Sequence, residues 1–310
     1  MTTRREILKG SLAACAMRLS AADVNQNRHG FKLGIITDEL TTNLDEAADF
    51  LASYNLHWCE LREIYNKNLM NSPQADLDRA KKVLQQHKLQ VSEIGSPIFK
   101  WNLPQAPAKA NEKRDEFKAN FTEQDADMLL DRAFRLARFF GTNKVRIFAY
   151  WRVDDREKAY PYIRDRLAKA AKVAAKNDII LTLENEYACN VGTGKELGRI
   201  LKDVNSPHLR GNWDPGNAAF LDEVPYPDGY NAVRGLFAHM HVKDARRNPQ
   251  TGKWEWRPVG GGIIDFKGQF EALRREKYDG TISLETHYRR PDGNKIESTR
   301  ESLEGLLKVL

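Results

Sequence analysis

The sequence predicts one α/β domain, a (β/α)8 barrel that spans residues 31–310. Eight short, almost continuously apolar runs alternate with longer amphipathic stretches, a pattern typical of buried parallel strands covered by helices. The runs start roughly 35 residues apart on average, and one βαβ unit needs about 30 or more. An open doubly wound sheet would place a glycine-rich turn after its first strand, but Thr37-Asp38-Glu39-Leu40 stands there. These observations favour the closed barrel.

The eight predicted strands are each four or five residues long. They are Leu33–Ile36, Trp58–Leu61, Gln90–Ile94, Lys144–Phe148, Ile179–Leu183, Arg210–Trp213, Ala238–Val242 and Thr281–Leu284. Capping residues and apolar spacing predict several of the helices between them. The predicted N-caps are Asn43, Ser72 and Thr193, with Pro73 as the first helical residue after Ser72. Apolar spacing predicts helices over Asp131–Phe140 and Tyr162–Lys176. Gly141 is predicted to end the first of these two helices.

Composition excludes several classes of protein. The chain has 310 residues, of which 41% are hydrophobic and 30% charged, so it is neither disordered nor low in complexity. It lacks a continuous apolar stretch of about 18 residues, so no transmembrane span is expected. Three cysteines are too few for a disulfide framework or a zinc cluster.

The net charge is +6, but the first 30 residues hold five basic and two acidic side chains. Because the rest has no clustered basic face, nucleic acid is not an expected partner.

Residues 1–30 form a leader-like segment. Thr3–Lys9 resembles a twin-arginine export motif and is followed by the small-residue runs 10–17 and 20–22. Residues 12–15 also fit a lipoprotein cleavage box, which would place a lipid on Cys15. If the leader is functional the protein is exported to the periplasm; otherwise the segment is a frayed tail of a cytoplasmic enzyme.

Two long connections follow predicted strands. Pro97–Glu123 follows the third strand, and Ala245–Gly262 follows the seventh. Loops after the strands of a barrel build the mouth of its active site, and long loops in compact domains are usually lids or binding loops. Contact between subunits of a homo-oligomer is the alternative.

Four consecutive strands end in residues that can bind a metal ion. The residues are Glu184, Asp214, His241 and Glu285, on the fifth to eighth strands. The carboxyl ends of barrel strands converge, and three carboxylates in a partly buried pocket would repel one another. A divalent cation would offset this repulsion. An oxygen-rich set with one imidazole suits Mn²⁺ or Mg²⁺, with Co²⁺, Zn²⁺ and Fe²⁺ as alternatives.

Four motifs around these residues, together with a glycine turn, resemble a known family. The motifs are Leu183-Glu184-Asn185, Trp213–Asn217, His239–Asp244 and Ser283-Leu284-Glu285, and the turn is Pro258–Asp265. Their order and spacing are similar to those of the xylose-isomerase-like TIM barrels, which include sugar epimerases and isomerases, inosose dehydratases and metal-dependent AP endonucleases. The resemblance implies that Glu184, Asp214, His241 and Glu285 are the metal ligands and that Glu184 and Glu285 are the catalytic acid/base pair.

The sequence departs from the endonuclease branch of that family. That branch builds a three-metal cluster with extra histidines, which are missing here. Residues 92–96 contain no histidine, and Asn217 stands three residues after Asp214 in place of one. Trp254 and Trp256 precede the glycine turn, where that branch has further metal ligands. A trinuclear phosphodiesterase site is therefore not expected. Asn217 also replaces a histidine of many sugar epimerases, which argues against a simple free-ketose 3-epimerase.

The site predicts a metal-dependent sugar isomerase or epimerase of carbohydrate metabolism. One glutamate would remove the proton next to a carbonyl, giving an enediolate that the metal stabilises, and the other would return a proton. One alternative is a lyase or dehydratase that acts on a keto-sugar, an inosose or a 3-keto-glycoside at the same site. Another is a non-catalytic, exported sugar-binding protein.

Candidate contacts to the small-molecule sugar lie near the same strand ends. We predict Glu60, His239, Lys243 and Arg247 as substrate-binding residues. Basic residues here could also pair with a phosphate or carboxylate group. Trp101, Trp151 and Trp256 are candidates to stack on a sugar ring, with buried packing as the alternative.

Overall fold

The computed structural model describes residues 30–104 and 120–310. Residues 1–29 of the predicted leader, including Cys15, lie outside the described residues, as do residues 105–119 of the long loop after the third strand. Within the described residues, no helix has the length and apolar character needed to cross a membrane.

Eight parallel strands close into a barrel, as predicted. In chain order they are β1 (Lys32–Ile36), β2 (Trp58–Leu61), β3 (Gln90–Ile94), β4 (Lys144–Ile147), β5 (Ile180–Glu184), β6 (Leu209–Trp213), β7 (Phe237–Val242) and β8 (Thr281–Leu284). Each strand pairs with its neighbours in sequence, and β1 closes the barrel by pairing with β8, for example Leu33 with Ile282. All eight lie within a residue or two of the predicted runs.

Helices follow the strands and cover the barrel. They are α1 (Thr37–Leu40), α2 (Leu44–Ser53), α3 (Gln74–Gln86), α4 (Ala126–Phe140), α5 (Arg156–Ala175), α6 (Gly194–Val204), α7 (Pro215–Phe220), α8 (Tyr230–Val233), α9 (Phe266–Arg275) and α10 (Lys295–Val309). Short 3-10 helices occupy Leu69–Asn71 and Glu123–Asp125, and Pro225–Gly229 form a kinked turn in which Tyr226 is extended. The apolar core lies between the helices and the strands, where Ile35, Leu181 and Ile282 are fully buried.

Most of the predicted helix ends are confirmed. The Asn43 side chain accepts from the Asp45 N–H at the start of α2, and Thr193 forms a capping box with Glu196 at the start of α6. Gly141 ends α4 in the left-handed conformation.

The predicted N-cap at Ser72 is wrong. Helix α3 begins at Gln74 after Pro73, one residue later than predicted. The hydroxyl of Ser72 instead donates to the carbonyl of Asn68, because Ser72 ends the preceding 3-10 turn.

Two small hairpins extend the carboxyl end of the barrel. Residues Glu63–Ile64 pair with Lys67–Asn68 after β2, and Asp244–Arg247 pair with Trp254–Arg257 after β7. The second hairpin occupies most of the long connection predicted at Ala245–Gly262. The carboxylate of Asp244 anchors its base by accepting from the backbone N–H groups of Gly260, Gly262 and Ile264.

Candidate active site

The four predicted metal ligands meet at the carboxyl end of the barrel. Glu184 is the last residue of β5, Asp214 follows β6, His241 lies near the end of β7, and Glu285 follows β8. One ligand atom of each residue lies within 4.8 Å of the corresponding atoms of the other three. All four residues are buried, the most exposed being Glu285 at 3%. The structure therefore brings together the whole predicted set.

The imidazole of His241 is the centre of this group. Its Nδ1 atom lies 3.4 Å from Glu285 Oε2, 3.6 Å from Glu184 Oε1 and 3.8 Å from Asp214 Oδ2. Its Nε2 atom faces the barrel interior and lies 2.9 Å from Glu60 Oε2. One ring nitrogen thus faces the three carboxylates at the mouth, while the other faces a glutamate beneath them.

Two asparagines fix the backbone of Asp214 and the carboxylates of Glu184 and Asp214. Asn185 links β5 to β6, because its Oδ1 accepts from the Asp214 N–H at 2.8 Å and its Nδ2 donates to the Asp214 carbonyl at 2.7 Å. Asn217 donates its backbone N–H to Asp214 Oδ1 and its Nδ2 to Glu184 Oε1. The remaining oxygens, Glu184 Oε2 and Asp214 Oδ2, are buried and receive no well-directed hydrogen bond from the described residues.

The donor set fits a divalent cation. Three carboxylates in contact with one imidazole supply hard oxygen ligands and one nitrogen, the combination that suits Mn²⁺ or Mg²⁺ and that Zn²⁺ also accepts. Buried polar atoms normally have hydrogen-bond partners. The two under-satisfied oxygens of Glu184 and Asp214 are therefore positioned as ligands would be.

Three buried cations lie against the carboxylates. Lys243 Nζ lies 2.5 Å from Glu285 Oε2 and 3.0 Å from Asp214 Oδ2. Arg62 Nη1 lies 3.2 Å from Glu285 Oε1, and Arg146 Nη1 lies 3.4 Å from Glu184 Oε2. Each carboxylate therefore has a positive neighbour, which offsets part of the repulsion within the group.

These neighbours decide the ionisation of the carboxylates. Burial by itself would raise the pKa of Glu184, but His241 and Arg146 outweigh it and hold that pKa at about 2. Burial also opposes ionisation of Glu285, yet Lys243 and its other cationic neighbours hold its pKa well below the usual range. For Asp214 burial prevails and raises the pKa to about 6. The two predicted catalytic glutamates are both ionised at neutral pH.

A second polar cluster lies deeper in the barrel. Glu60, Glu93 and His239 are fully buried, and with His241 they form another group close enough to share an ion. Several of their polar atoms already have partners, since Thr182 Oγ1 donates to Glu93 Oε2 at 2.7 Å. Burial and the Glu60 charge raise the pKa of Glu93 to about 8, and burial lowers that of His239 to about 4. The mouth cluster is the better candidate metal site, because its carboxylates are ionised and under-satisfied.

The four predicted substrate-binding residues occupy three different places. Lys243 lies among the candidate ligands, whereas Glu60 and His239 lie beneath His241 inside the barrel. Arg247 lies on the hairpin after β7, where it pairs with Asp222. The structure thus groups only Lys243 with the mouth cluster, and substrate contact by all four stays a prediction.

Sequence reasoning missed three acidic residues near the site. Glu93 interrupts the apolar β3, and such a charge within a buried strand is the signal that could have identified it. Asp38 and Glu39 follow β1 and bind Arg62 Nη2 at 2.7 and 2.6 Å. They fix the guanidinium that reaches Glu285, a contact between distant segments that no local pattern reveals.

The chain matches two kinds of curated enzyme over part of its length. It is 24% identical over 160 residues to L-ribulose-5-phosphate 3-epimerase UlaE of Shigella boydii serotype 18, which covers 51% of this chain and 54% of that protein. It is 22% identical over 142 residues to inosose dehydratase of Geobacillus thermodenitrificans, which covers 42% of this chain and 47% of the relative. The chain thus spans about half the length of the curated relatives it matches.

The fold matches solved structures over most of the chain. One is the IOLI protein with a bound zinc atom, with a TM-score of 0.69 and 16% identity over 90% of this chain and 98% of that one. The sequence profile described as "Xylose isomerase-like TIM barrel" matches residues 48–309. The predicted resemblance is confirmed, and the chain belongs to the xylose isomerase-like TIM barrel family.

Proposed function

We propose that the protein is a divalent-metal-dependent sugar isomerase or epimerase. The observation that supports this most is the placement of Glu184 and Glu285, which come from β5 and β8 and lie 3.6 and 3.4 Å from the same atom, His241 Nδ1. Two ionised carboxylates that flank one ligand position can act on the two sides of one small substrate. Relatives that are sugar epimerases and dehydratases support an enzyme of this kind.

The residues proposed to hold the ion are Glu184, Asp214, His241 and Glu285. When bound there, a divalent ion supplies Lewis-acid polarisation of a substrate carbonyl and an adjacent hydroxyl. Mn²⁺ and Mg²⁺ suit the oxygen-rich set best, and the zinc-containing relative keeps Zn²⁺ among the alternatives.

The two glutamates would move the proton next to the carbonyl. One ionised carboxylate removes that proton. The other takes up a proton from water and passes it to the opposite face of the same carbon in epimerisation, or to the neighbouring carbon in isomerisation. The low pKa of Glu184, about 2, keeps this carboxylate in its ionised form at neutral pH. Lys243 stands beside Glu285 as a cation that can bind a substrate oxygen.

A lyase or dehydratase is the second candidate, and the position of Lys243 favours it. Its ammonium is buried and lies 2.5 Å from Glu285 Oε2, and burial notwithstanding, Asp214 and Glu285 raise its pKa well above the usual range. Because it stays charged at neutral pH, this ammonium can stabilise the negative charge that develops on the oxygen of a departing β-hydroxyl or β-alkoxide group. A keto-sugar, an inosose or a 3-keto-glycoside would be a suitable substrate.

Solvent exchange tests the proposal. Keto-sugars in free, phosphorylated and glycosidic form are incubated with Mn²⁺ in D2O and followed by NMR, which reports exchange, epimerisation and elimination together. We expect deuterium next to the carbonyl of one substrate, and loss of that exchange in Glu184→Gln and in Glu285→Gln. Glu271→Gln, an exposed change on α9, is the matched control and should retain exchange.

The outcomes separate the candidates. Inverted or isomerised product supports the isomerase or epimerase, and release of water or of an aglycone supports the lyase. Exchange that persists in a Glu184→Gln/Glu285→Gln double variant would contradict both. Binding of a sugar without exchange would instead favour the non-catalytic sugar-binding protein.

We also propose a periplasmic location if the leader is functional. The test fuses residues 1–30 to a reporter that is active only after export, with an Arg4→Lys/Arg5→Lys pair as control. Activity that requires the two arginines supports export, and equal activity of both fusions contradicts it.

A further inference from the structure

A group of aromatic side chains lies at the mouth beside the candidate active site. Each member follows the carboxyl end of one of the strands β5 to β8. They are Tyr187, Phe220, Trp254, Trp256 and His287, and we call them the mouth aromatic group. All five are half-buried, whereas most aromatic residues of the core are fully buried.

The rings are in contact with one another and keep part of their surface exposed. Phe220 stacks on Trp256 at 4.0 Å between centroids and on Trp254 at 5.6 Å, with interplanar angles of 20° and 22°. Tyr187 extends the surface from Phe220 at 5.1 Å. The hairpin after β7 supplies both tryptophans, so its conformation determines where the surface lies.

Trp256 joins this surface to the carboxylates. Its ring lies 5.0 Å from the ring of His287, and the two are nearly perpendicular. Lys243 Nζ lies 5.2 Å from the centre of the same indole. Both neighbours contact Glu285, through Lys243 Nζ at 2.5 Å and His287 Nε2 at 3.3 Å. A substrate in contact with Glu285 would therefore be separated from Trp256 by a single side chain, Lys243 or His287.

The charges around the group favour a neutral ligand. The guanidinium of Arg247 packs on Trp254 at 4.8 Å but is paired with Asp222. Arg246 is paired with Glu255 at 2.9 Å. Within the described residues, these basic side chains of the hairpin thus have carboxylate partners, which compete with a phosphate group for their charge.

We propose that the mouth aromatic group is a binding subsite for a second ring attached to the reacting sugar, so that the substrate is a neutral glycoside. This inference rests on the proposed function, because it places the reacting sugar beside Glu184 and Glu285. Phe220 and Trp254 keep part of their surface exposed beyond the carboxylates, and a ring joined to the reacting sugar through a glycosidic oxygen would contact that exposed part. Exposed aromatic surfaces beside polar groups are typical of ligand sites.

The second ring has two chemical sources that the test distinguishes. An aryl aglycone and a second pyranose both present a flat, apolar face to tryptophan. The probes are phenyl β-D-glucoside for the first, cellobiose for the second, methyl β-D-glucoside as the one-ring reference and glucose 6-phosphate as the charged reference. None carries a keto group at the position to be exchanged, so binding is measured without turnover by tryptophan fluorescence and saturation-transfer NMR.

We expect phenyl β-D-glucoside or cellobiose to bind about tenfold more tightly than methyl β-D-glucoside, in keeping with the strength of stacking contacts. Trp256→Leu should abolish this difference, and Trp254→Leu, a second variant in case the first does not fold, should reduce it. Trp58→Leu is the matched control, because Trp58 is also half-buried but begins β2 at the opposite end of the barrel.

Preference for the aryl or for the disaccharide probe supports the subsite and identifies the kind of ring. Equal binding of the one-ring and two-ring probes, unchanged preference in Trp256→Leu, or tighter binding of glucose 6-phosphate than of every neutral probe would overturn it. Because the titration needs no turnover, it can fail while the deuterium exchange assay succeeds, and the reverse also holds.

Discussion

His241 Nε2 and Glu60 Oε2 share a hydrogen bond over 2.9 Å, and with this contact His241 Nδ1 faces the mouth of the barrel. The Nδ1 atom there lies within 3.8 Å of oxygens from Glu184, Asp214 and Glu285. Carboxylates that hold the second nitrogen of a metal-binding histidine fix both its tautomer and its orientation. Glu60 is therefore a positioning residue for the candidate metal site.

Glu60→Gln should weaken metal binding. The amide keeps the size of the side chain but loses the charge that orients His241, and comparable losses reduce metal affinity about 10- to 100-fold. Competition with a fluorescent chelator measures the Mn²⁺ affinity of the native protein and of the variant. Glu271→Gln should match the native protein, and equal affinities of all three proteins would show that Glu60 does not position the histidine.

Metal should stabilise the fold. An ion that binds only the folded state at 100 times its dissociation constant adds about 2.7 kcal/mol. For a domain of this size that corresponds to a rise in Tm of about 4–5 °C. Thermal unfolding with excess Mn²⁺ and with EDTA measures the shift, which should vanish in Asp214→Asn. A Tm that is the same with and without the ion would contradict the site.

Lys243→Met should lower the free energy of unfolding more in the metal-free protein than in the metal-bound protein. In the metal-free protein the ammonium is the nearest counter-charge of Asp214 and Glu285, at 3.0 and 2.5 Å. Removing one partner of a buried ion pair costs about 3–5 kcal/mol, and a bound divalent ion would offset part of that loss. Urea unfolding of variant and native protein in EDTA and in Mn²⁺ gives the four free energies. An equal cost in both conditions would mean that lysine and metal act on different groups.

Gly262→Ala should destabilise the base of the hairpin after β7. A methyl group there would overlap the carboxylate of Asp244 and the carbonyl of Ala245, and overpacking of this kind costs about 1–3 kcal/mol. Gly261→Ala is the control from the same turn, where the nearest atom is the Pro258 carbonyl oxygen at 3.1 Å. We expect a clearly lower urea midpoint for Gly262→Ala than for Gly261→Ala, and the opposite order would contradict the structure of this turn.

The barrel and the four mouth residues could be predicted because both depend on local patterns. Apolar runs such as Trp58–Leu61 and Thr281–Leu284 identify strands wherever they lie in the chain. In a barrel, the carboxyl ends of the strands converge on the mouth. The strand pattern alone is therefore enough to predict that Glu184 and Glu285 lie together.

The rest of the site depends on contacts between distant segments. Arg62 and Glu285 are 223 residues apart in sequence, yet their side chains pair in the barrel. Glu93 contacts the histidines of β7 only because the strand order brings β3 across the barrel interior. No periodic pattern in the sequence indicates such pairings between distant residues. The misplaced cap at Ser72 has a local cause, since a 3-10 turn competes for the same residue.

The metal content of the purified protein tests the central claim most directly. The protein is loaded with Mn²⁺, freed of excess ion by gel filtration and measured by inductively coupled plasma mass spectrometry, beside Asp214→Asn/His241→Gln and Glu271→Gln. We expect about one ion per chain in the native protein and in Glu271→Gln, and almost none in the double variant. A native protein that retains no ion, or a double variant that retains as much as the native protein, would contradict the shared metal site.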